Sequence, residues 1–256
     1  MTRIAVPIPV RGRHPLLRLT VDRIKRQAGC EVHVVCVGGE DDCEFCRDAI
    51  GVEAHHHDNY PLGAKWQSAF DMCRQYQPDA VLFLGSSDWV CNDWCRTMYA
   101  DMQATGCGMI GKRDIDFLDV GRDGLIRGLR WNGYHLGSGR EDEPIGAGRL
   151  LSRQLLDAID WQVFDRNIDF GLDYSMLVHS MRRGSVYLSN RPEMRSASIS
   201  CYAWENKHKF DAMLDLDNCK RYEWDELTAV VDGYFPEIKT LYKAIQQESK
   251  CSANGA

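Results

Sequence analysis

The stretch Ala80-Val81-Leu82-Phe83-Leu84-Gly85-Ser86-Ser87-Asp88-Trp89 carries the strongest fold signal in the chain. Its first half is a short apolar run, typical of a buried strand, and its second half is small and polar with a carboxylate at Asp88. Open α/β sheets bind ligands at the carboxyl ends of their strands. The stretch therefore predicts a strand that presents Asp88 to a ligand, as a metal ligand or a catalytic acid. The alternative is an aspartate that caps the next helix or its preceding turn.

Strands and helices alternate through the first half of the chain. The pattern predicts strands at 3–10, 31–37, 80–84 and 108–110, and helices from Pro15, at 62–76 and at 92–102. This alternation is typical of a mostly parallel sheet with helices on both faces. Residues 113–149 are rich in Gly, Asp and Arg and predict a substrate-facing loop system. The remainder predicts helices at 150–159, 172–181 and from Trp224 onward, and a strand at 185–188.

Composition narrows the class of protein. The chain has 256 residues with 31 basic and 37 acidic side chains, a net charge of −6, and so no global attraction to a polyanion. No apolar run approaches the roughly 20 residues that a membrane span needs. Eleven cysteines, an odd number, without an export signal favour reduced thiols. We expect a soluble, cytoplasmic protein with no membrane contact.

Two further stretches place charged residues at predicted helix starts. A turn with Pro61 and Gly63 leads into a helix that carries Lys65 in its first turn. A lysine there opposes the helix dipole unless an anion lies nearby, which predicts a phosphate site; the alternative is an ordinary surface lysine. Asp169 and Asp173 flank a glycine before another helix, where each could be a general base or a helix N-cap.

Cysteines and histidines cluster in one segment. Cys43 and Cys46 form a CxxC pair, and His55-His56-His57 follows. These side chains have the ligand chemistry of zinc but lack a second pair at finger-like spacing. Buried thiols beside a histidine-rich turn are the alternative. The sequence contains neither GxxxxGKS/T nor GxGxxG, so P-loop and Rossmann dinucleotide sites lose support.

The order of these motifs resembles the GT-A fold glycosyltransferases that use nucleotide sugars, a large family that includes the inverting synthases. Ile4 to Arg11 resembles the first strand, whose Pro-containing end contacts the nucleotide, and residues 34–41 resemble the second strand, whose acidic loop holds the base or ribose. Ser86-Ser87-Asp88 stands where the family has Asp-x-Asp, with Ser86 in place of the first acid. The resemblance covers roughly residues 3–190.

The resemblance implies an α/β, GT-A-like fold: a single mostly parallel sheet flanked by helices, with a C-terminal helical extension. The catalytic domain would span 1–200, with a nucleotide-binding half at about 1–112 and an acceptor half at about 113–200, and the extension would span 201–256.

It also implies a set of site residues. Asp173 takes the place of the catalytic base, and Asp88, assisted by His208, would hold a divalent cation, Mn²⁺ or Mg²⁺. The nucleoside diphosphate sugar would be bound by Pro7, Ile8, Pro9, Arg11, Gly38, Glu40, Lys65, Ser87, Gly146, Ala147 and Gly148. The implied reaction transfers the sugar to an acceptor hydroxyl with inversion at the anomeric carbon.

The resemblance extends to compact viral enzymes that glycosylate hydroxymethylated bases in DNA. A viral enzyme of this kind would act in the host cytoplasm. Two arginine-rich stretches could then form a local DNA-binding face: Arg127, Arg130, Arg140 and Arg149, and Arg182, Arg183, Arg191 and Arg195. Two other classes stay open. One is a nucleotidyltransferase that acts on a sugar phosphate, and the other is a zinc-dependent binding module without catalysis.

Overall fold

The computed structural model describes residues 1–204, 210–214 and 218–254. Its strands are β1 (Thr2–Pro9), β2 (Cys30–Gly38), β3 (Glu53–His56), β4 (Ala80–Phe83), β5 (Asp88–Val90), β6 (Met109–Gly111), β7 (Ile115–Val120), β8 (Ile126–Trp131), β9 (Arg149–Ser152), β10 (Val186–Leu188), β11 (Ser196–Cys201) and β12 (Cys219–Arg221). Its α-helices are α1 (His14–Lys25), α2 (Glu40–Glu44), α3 (Leu62–Cys73), α4 (Trp94–Thr105), α5 (Arg153–Ala158), α6 (Leu172–Met181), α7 (Phe210–Met213), α8 (Trp224–Tyr234) and α9 (Ile238–Asn254). A π-helical turn follows α2 at Phe45–Ala49, and a 3₁₀ turn follows α3 at Arg74–Tyr76.

The larger sheet has seven strands in the order β10-β6-β9-β4-β1-β2-β3. Strands β1, β2, β3 and β4 are mutually parallel, as the alternating pattern predicts, so their carboxyl ends lie at one edge. Strand β9 runs antiparallel to both β4 and β6 and makes the sheet mixed. Helices cover both faces: α1 and α4 pack on one, and α3, α5 and α6 pack on the other.

A second sheet of five strands, in the order β12-β8-β7-β11-β5, corrects the prediction of a single sheet. Strands β7 and β8 form an antiparallel hairpin inside the segment predicted as loops. Strand β11 joins the hairpin to β5, which begins at Asp88. Because β5 follows β4 after a short turn, the second sheet lies against the carboxyl edge of the first.

The C-terminal segment packs onto this second sheet. Apolar residues of α8 and α9 share a core cluster with α1, β7 and β11, and β12 pairs with β8. The buried guanidinium of Arg23, on α1, ties the segment down because it donates to Val90 O (2.7 Å), to Glu237 Oε2 (2.7 Å) and to Tyr234 O. The predicted helical extension therefore also supplies a strand, while its boundary at residue 200 stays a prediction.

Residues 150–159, predicted as one helix, divide between β9 and α5. Leu150 and Leu151 are fully buried between β4 and β6, where they complete the sheet. Such a short apolar run has no period that separates strand from helix. Elsewhere, eight of the ten cysteines from Cys30 to Cys219 are buried, and all ten are free thiols. No helix in the described ranges is long and apolar enough to cross a bilayer.

Candidate functional site

A cleft of about 840 Å³ opens at the carboxyl ends of β1 and β4. Cavities of this size accommodate small ligands and cofactors. One wall comes from the loops after β1 and β4 and the start of α3, and the other comes from the second sheet. The lining residues are Pro9, Val10, Arg11, Gly12, Arg13, Asn59, Tyr60, Leu62, Lys65, Trp66, Gly85, Ser86, Ser87, Asp88, Phe117, Asp169, Phe170, Ser198, Ile199, Ser200, Ala203, Trp204 and Phe210.

The loop after β1 is held in an unusual conformation. Gly12 and Arg13 both adopt the left-handed region, with φ of 61° and 56°. The N–H of Gly12 donates to Asp42 Oδ1 (2.8 Å), which also bonds His14 Nε2 (2.9 Å). Asp42 lies on α2, the short acidic helix after β2, so that helix fixes the path of residues 11–14.

The loop after β4 is held from three sides. Ser86 O accepts a hydrogen bond from Thr20 Oγ1 of α1 (3.1 Å), and Arg13 Nη2 donates to Ser86 Oγ (3.3 Å). Asp88 Oδ2 accepts the N–H of Gly85 (3.0 Å), and the Asp88 carboxylate also bonds Ser198 on the facing strand β11. The turn alternative for Asp88 is thus present in the structure, and it coexists with a place on the cleft wall.

Burial and charge have opposite effects on the pKa of Asp88, in this loop, and on the pKa of Arg13, in the loop after β1. Burial raises the pKa of Asp88, while its hydrogen bonds with Ser198 and Gly85 and the charge of Arg13 lower it. Burial likewise lowers the pKa of Arg13, and the charge of Asp88 counteracts that effect. Arginine stays protonated through the physiological range, so a guanidinium faces the carboxylate here.

The donor set of this loop does not fit the divalent cation that the resemblance implies. Asp88 is its one carboxylate, Ser86 stands where the family has the first acid and is bonded to Arg13, and a guanidinium disfavours a nearby cation. Among the described residues, no group of three His, Cys, Asp or Glu side chains could hold a metal ion. The predicted partner His208 lies outside the described residues.

Lys65 lies at the cleft but is almost fully buried, 1% exposed. Its ammonium donates to Val10 O and to Asn59 Oδ1, the latter at 2.7 Å. Burial lowers the pKa of Lys65 to about 8, although the charge of Asp42 partly opposes this. The surface-lysine alternative is therefore wrong. The ammonium joins the end of β1 to the turn before α3.

Asp169 and Asp173 have different positions. Asp169 lines the cleft, and its Oδ1 accepts the N–H of Leu62 (2.7 Å), so it caps the first turn of α3 instead of its own helix. Asp173 lies in the first turn of α6, half-buried, and close enough to Asp88 to raise the pKa of that carboxyl. Its carbonyl accepts from Arg149 Nη1 (2.6 Å), which is fully buried and also paired with Glu143.

The other predicted site residues divide into two groups. Pro9, Arg11 and Ser87 line the cleft with Lys65 and Asp88. The other predicted residues of the donor site do not line the cleft, and each has a different position in the fold. Pro7 and Ile8 lie inside the sheet, Gly38 is buried, Glu40 is exposed on α2, and Gly146, Ala147 and Gly148 are buried. A Cβ on Gly146 would lie 2.4 Å from Asp173 Oδ1, and one on Gly148 would lie 2.6 Å from Trp94, so both glycines allow close packing.

The Cys and His side chains of the zinc alternative are engaged elsewhere. Cys43 and Cys46 are buried in the core, which confirms the interpretation as buried thiols. On β3, His55 bonds Glu53, and in the turn that follows His57 Nδ1 bonds Asp58 O.

Six of the eight arginines considered for DNA binding are ion-paired with carboxylates. Arg127 pairs with Asp119, Arg130 and Arg195 pair with Asp116, Arg140 and Arg149 pair with Glu143, and Arg191 pairs with Asp101. The other two, Arg182 and Arg183, are exposed. The charges of the six paired arginines are largely neutralised within the protein, so the predicted basic face gains no support.

Sequence reasoning missed Arg13, Asp42 and the wall formed by β11. The positive φ of Arg13 has no signature in a Gly-Arg-His-Pro sequence that reads as a plain helix start. Strand β11 had a usable signal, because Ala197, Ile199 and Cys201 are apolar and alternate with serines. That alternation would have placed Ser198 on a strand.

Comparison with solved structures identifies the fold. TarS 1-349 from S. aureus superposes with a TM-score of 0.54 at 12% identity, over 78% of this chain and 60% of that chain. Its complex with UDP gives 0.54 at 12% over 77% and 60%, and its complex with UDP-GlcNAc gives 0.50 at 13% over 83% and 61%. TarS is a GT-A-like glycosyltransferase. The chain has a GT-A-like fold.

The comparisons extend no further than the fold. This chain spans about three-fifths of the TarS 1-349 structures. No protein-family model matches the sequence, and no curated protein matches it. The comparisons with TarS give no support to an acceptor in DNA.

Proposed function

We propose that this chain is a glycosyltransferase that moves a sugar from a nucleoside diphosphate sugar to an acceptor hydroxyl. The observation that carries the proposal is the cleft of about 840 Å³ at the carboxyl ends of β1 and β4, lined by Arg11, Arg13 and Asp88. Anions bind where guanidinium groups and strand ends converge. The TarS structures with UDP and UDP-GlcNAc, which share the fold, support a nucleotide sugar as the ligand class.

In the proposed reaction the acceptor oxygen attacks the anomeric carbon from the side opposite the diphosphate. A carbon–oxygen bond forms to the acceptor, the bond to the diphosphate oxygen breaks, and the nucleoside diphosphate leaves with the electron pair. Asp173 takes the acceptor's proton. Asp173 is not among the residues that line the cleft, but its carboxylate lies near that of Asp88, which lines it, and its helix start is anchored by Arg149. Attack from the opposite side inverts the anomeric centre.

The first test is a screen of nucleotide sugars, with and without added acceptors, that measures release of nucleoside diphosphate. We expect turnover with one donor class, and loss of about 100-fold or more in kcat for Asp173→Asn, since a general base contributes at least that much. Asp142→Asn is the matched control because its side chain is 94% exposed and lies outside the cleft lining. Release of pyrophosphate from a nucleoside triphosphate would instead indicate a nucleotidyltransferase. No release from any donor would contradict the proposal.

A further inference from the structure

A nucleotide sugar brings two phosphates into the cleft, and more negative charge collects on the diphosphate as the sugar leaves. Something positive must face that charge at the moment the bond breaks. Because the loop after β4 does not offer the donor set of a cation site, the positive group has to come from the protein. The described part of the lining contains three cationic side chains: Arg11, Arg13 and Lys65.

Two of the three are poorly placed for a diphosphate. The ammonium of Lys65 is buried and donates to Val10 O and Asn59 Oδ1, so it is engaged in holding the fold. Arg11 is exposed at the rim, where Nη1 donates to the Tyr60 hydroxyl (2.8 Å) and the guanidinium lies 5.5 Å from the Tyr60 ring centre.

Arg13 has the position that the other two lack. It is half-buried, Nη2 lies 3.3 Å from Ser86 Oγ, and its charge interacts with Asp88. The guanidinium thus lies beside Ser86, the residue that stands where the family has the first acid of Asp-x-Asp. A guanidinium offers five N–H donors in a fixed plane, a geometry that suits phosphate oxygens.

The backbone supports the same assignment. Arg13 has φ 56° and ψ 38°, a conformation that is costly for a residue with a Cβ and that glycine adopts freely. The preceding Gly12 N–H bond to Asp42 holds the loop in this shape. Strained residues retained in a ligand cleft are often functional. In this conformation Arg13 Nη2 lies within hydrogen-bond distance of Ser86 Oγ.

We infer that the Arg13 guanidinium binds the donor's diphosphate in place of a divalent cation, so that donor binding and transfer are independent of metal. The inference rests on the proposed function. Ser86 agrees with this inference. Because Ser86 has a hydroxyl where the family has an acid, the loop has one negative charge for one arginine and does not attract a cation.

The test measures binding of UDP, GDP, ADP, CDP and dTDP by calorimetry, in EDTA and then with added Mn²⁺ or Mg²⁺. We expect one diphosphate to bind in EDTA, with Kd changed less than about threefold by metal. Arg13→Gln should weaken it by about 30-fold or more, whereas the matching nucleoside should bind as before. Arg18→Gln is the matched control, because Arg18 is exposed on α1, the helix that follows Arg13, and lies outside the cleft lining.

Two further variants keep the test decisive. Arg13→Gly suits the left-handed backbone, so it should fold and still lose diphosphate affinity. Ser86→Asp should weaken binding in EDTA, since the added carboxylate competes for Arg13, and should make binding depend on Mn²⁺. Wild-type binding that requires metal, or an unchanged affinity in Arg13→Gly, would overturn the inference and leave the proposed function intact. Binding of none of the five diphosphates under any condition would contradict both.

Discussion

At the scale of single residues, Lys65 shows how burial changes the behaviour of a charged group. The sequence predicts an ammonium near a phosphate, and the structure places it at the cleft but bonds it to Val10 O and Asn59 Oδ1. Lysine at a helix start is compatible with both arrangements. The choice depends on the turn before α3, whose path the local sequence does not specify.

Lys65 predicts a pH dependence of stability. Its pKa is about 8 in the folded protein against an ordinary value of 10.5. Between these values the unfolded chain keeps the proton that the folded protein has lost, so this group makes stability rise with pH. Relative to Lys65→Met, the wild type should gain up to roughly 3 kcal/mol from pH 8 to pH 10.5. Chemical denaturation of both proteins across that range measures the difference; a constant difference would contradict it.

Five of the predicted site residues line the cleft. The sequence could predict them because apolar runs that stop at polar residues mark the strand ends. Arg13 and Asp42 could not be found in this way. Their positions depend on a left-handed turn and on a contact between the loop after β1 and α2, 30 residues apart, and neither leaves a local pattern.

At the scale of elements, the start of α3 is fixed by a contact with the loop before α6. Gly63 N–H donates to Ile168 O (2.7 Å), and a Cβ on Gly63 would lie 2.0 Å from Asp165 O. Gly63 therefore allows a loop from the second half of the chain to approach the helix. The sequence predicted close approach by a ligand at this glycine, and the structure shows close approach by backbone.

This contact predicts that Gly63→Ala destabilises the protein. A backbone oxygen cannot move aside as a side chain can, so the loss should be about 1–3 kcal/mol in the free energy of unfolding. Gly233→Ala is the matched control: Gly233 lies in α8, and a Cβ there would meet nothing within 4 Å. That variant should instead gain up to about 1 kcal/mol, because alanine favours helix. Denaturant unfolding compares them; equal effects would contradict the role of Gly63.

Long periodic elements were predicted well and short ones were not. Helices α1, α3 and α4 match the expected segments closely because each shows an apolar face. Helix α6 also matches its expected segment, 172–181, although its buried side chains are only Met176 and Ser180. Strands β5 and β12, of three residues each, are defined by their partners instead of by their own composition.

At the scale of the whole molecule, the cleft exists because two sheets meet. The parallel strands supply the loops that carry Arg13 and Asp88, and β11 supplies Ser198 on the other side. A second sheet could not be inferred from the sequence, since β7 pairs with β11 across 80 residues of chain. The alternating pattern predicted the wall formed by the loops at the strand ends, but not the wall formed by the second sheet.

The proposal that this cleft binds a nucleoside diphosphate sugar can be tested with a crystal structure of the protein and a nucleotide sugar that binds in the screen. We expect a diphosphate within hydrogen-bond distance of Arg13 and an anomeric carbon that faces Asp173. A nucleotide sugar bound outside the cleft, or bound in the cleft with its diphosphate away from residues 11–13 and 85–88, would contradict it.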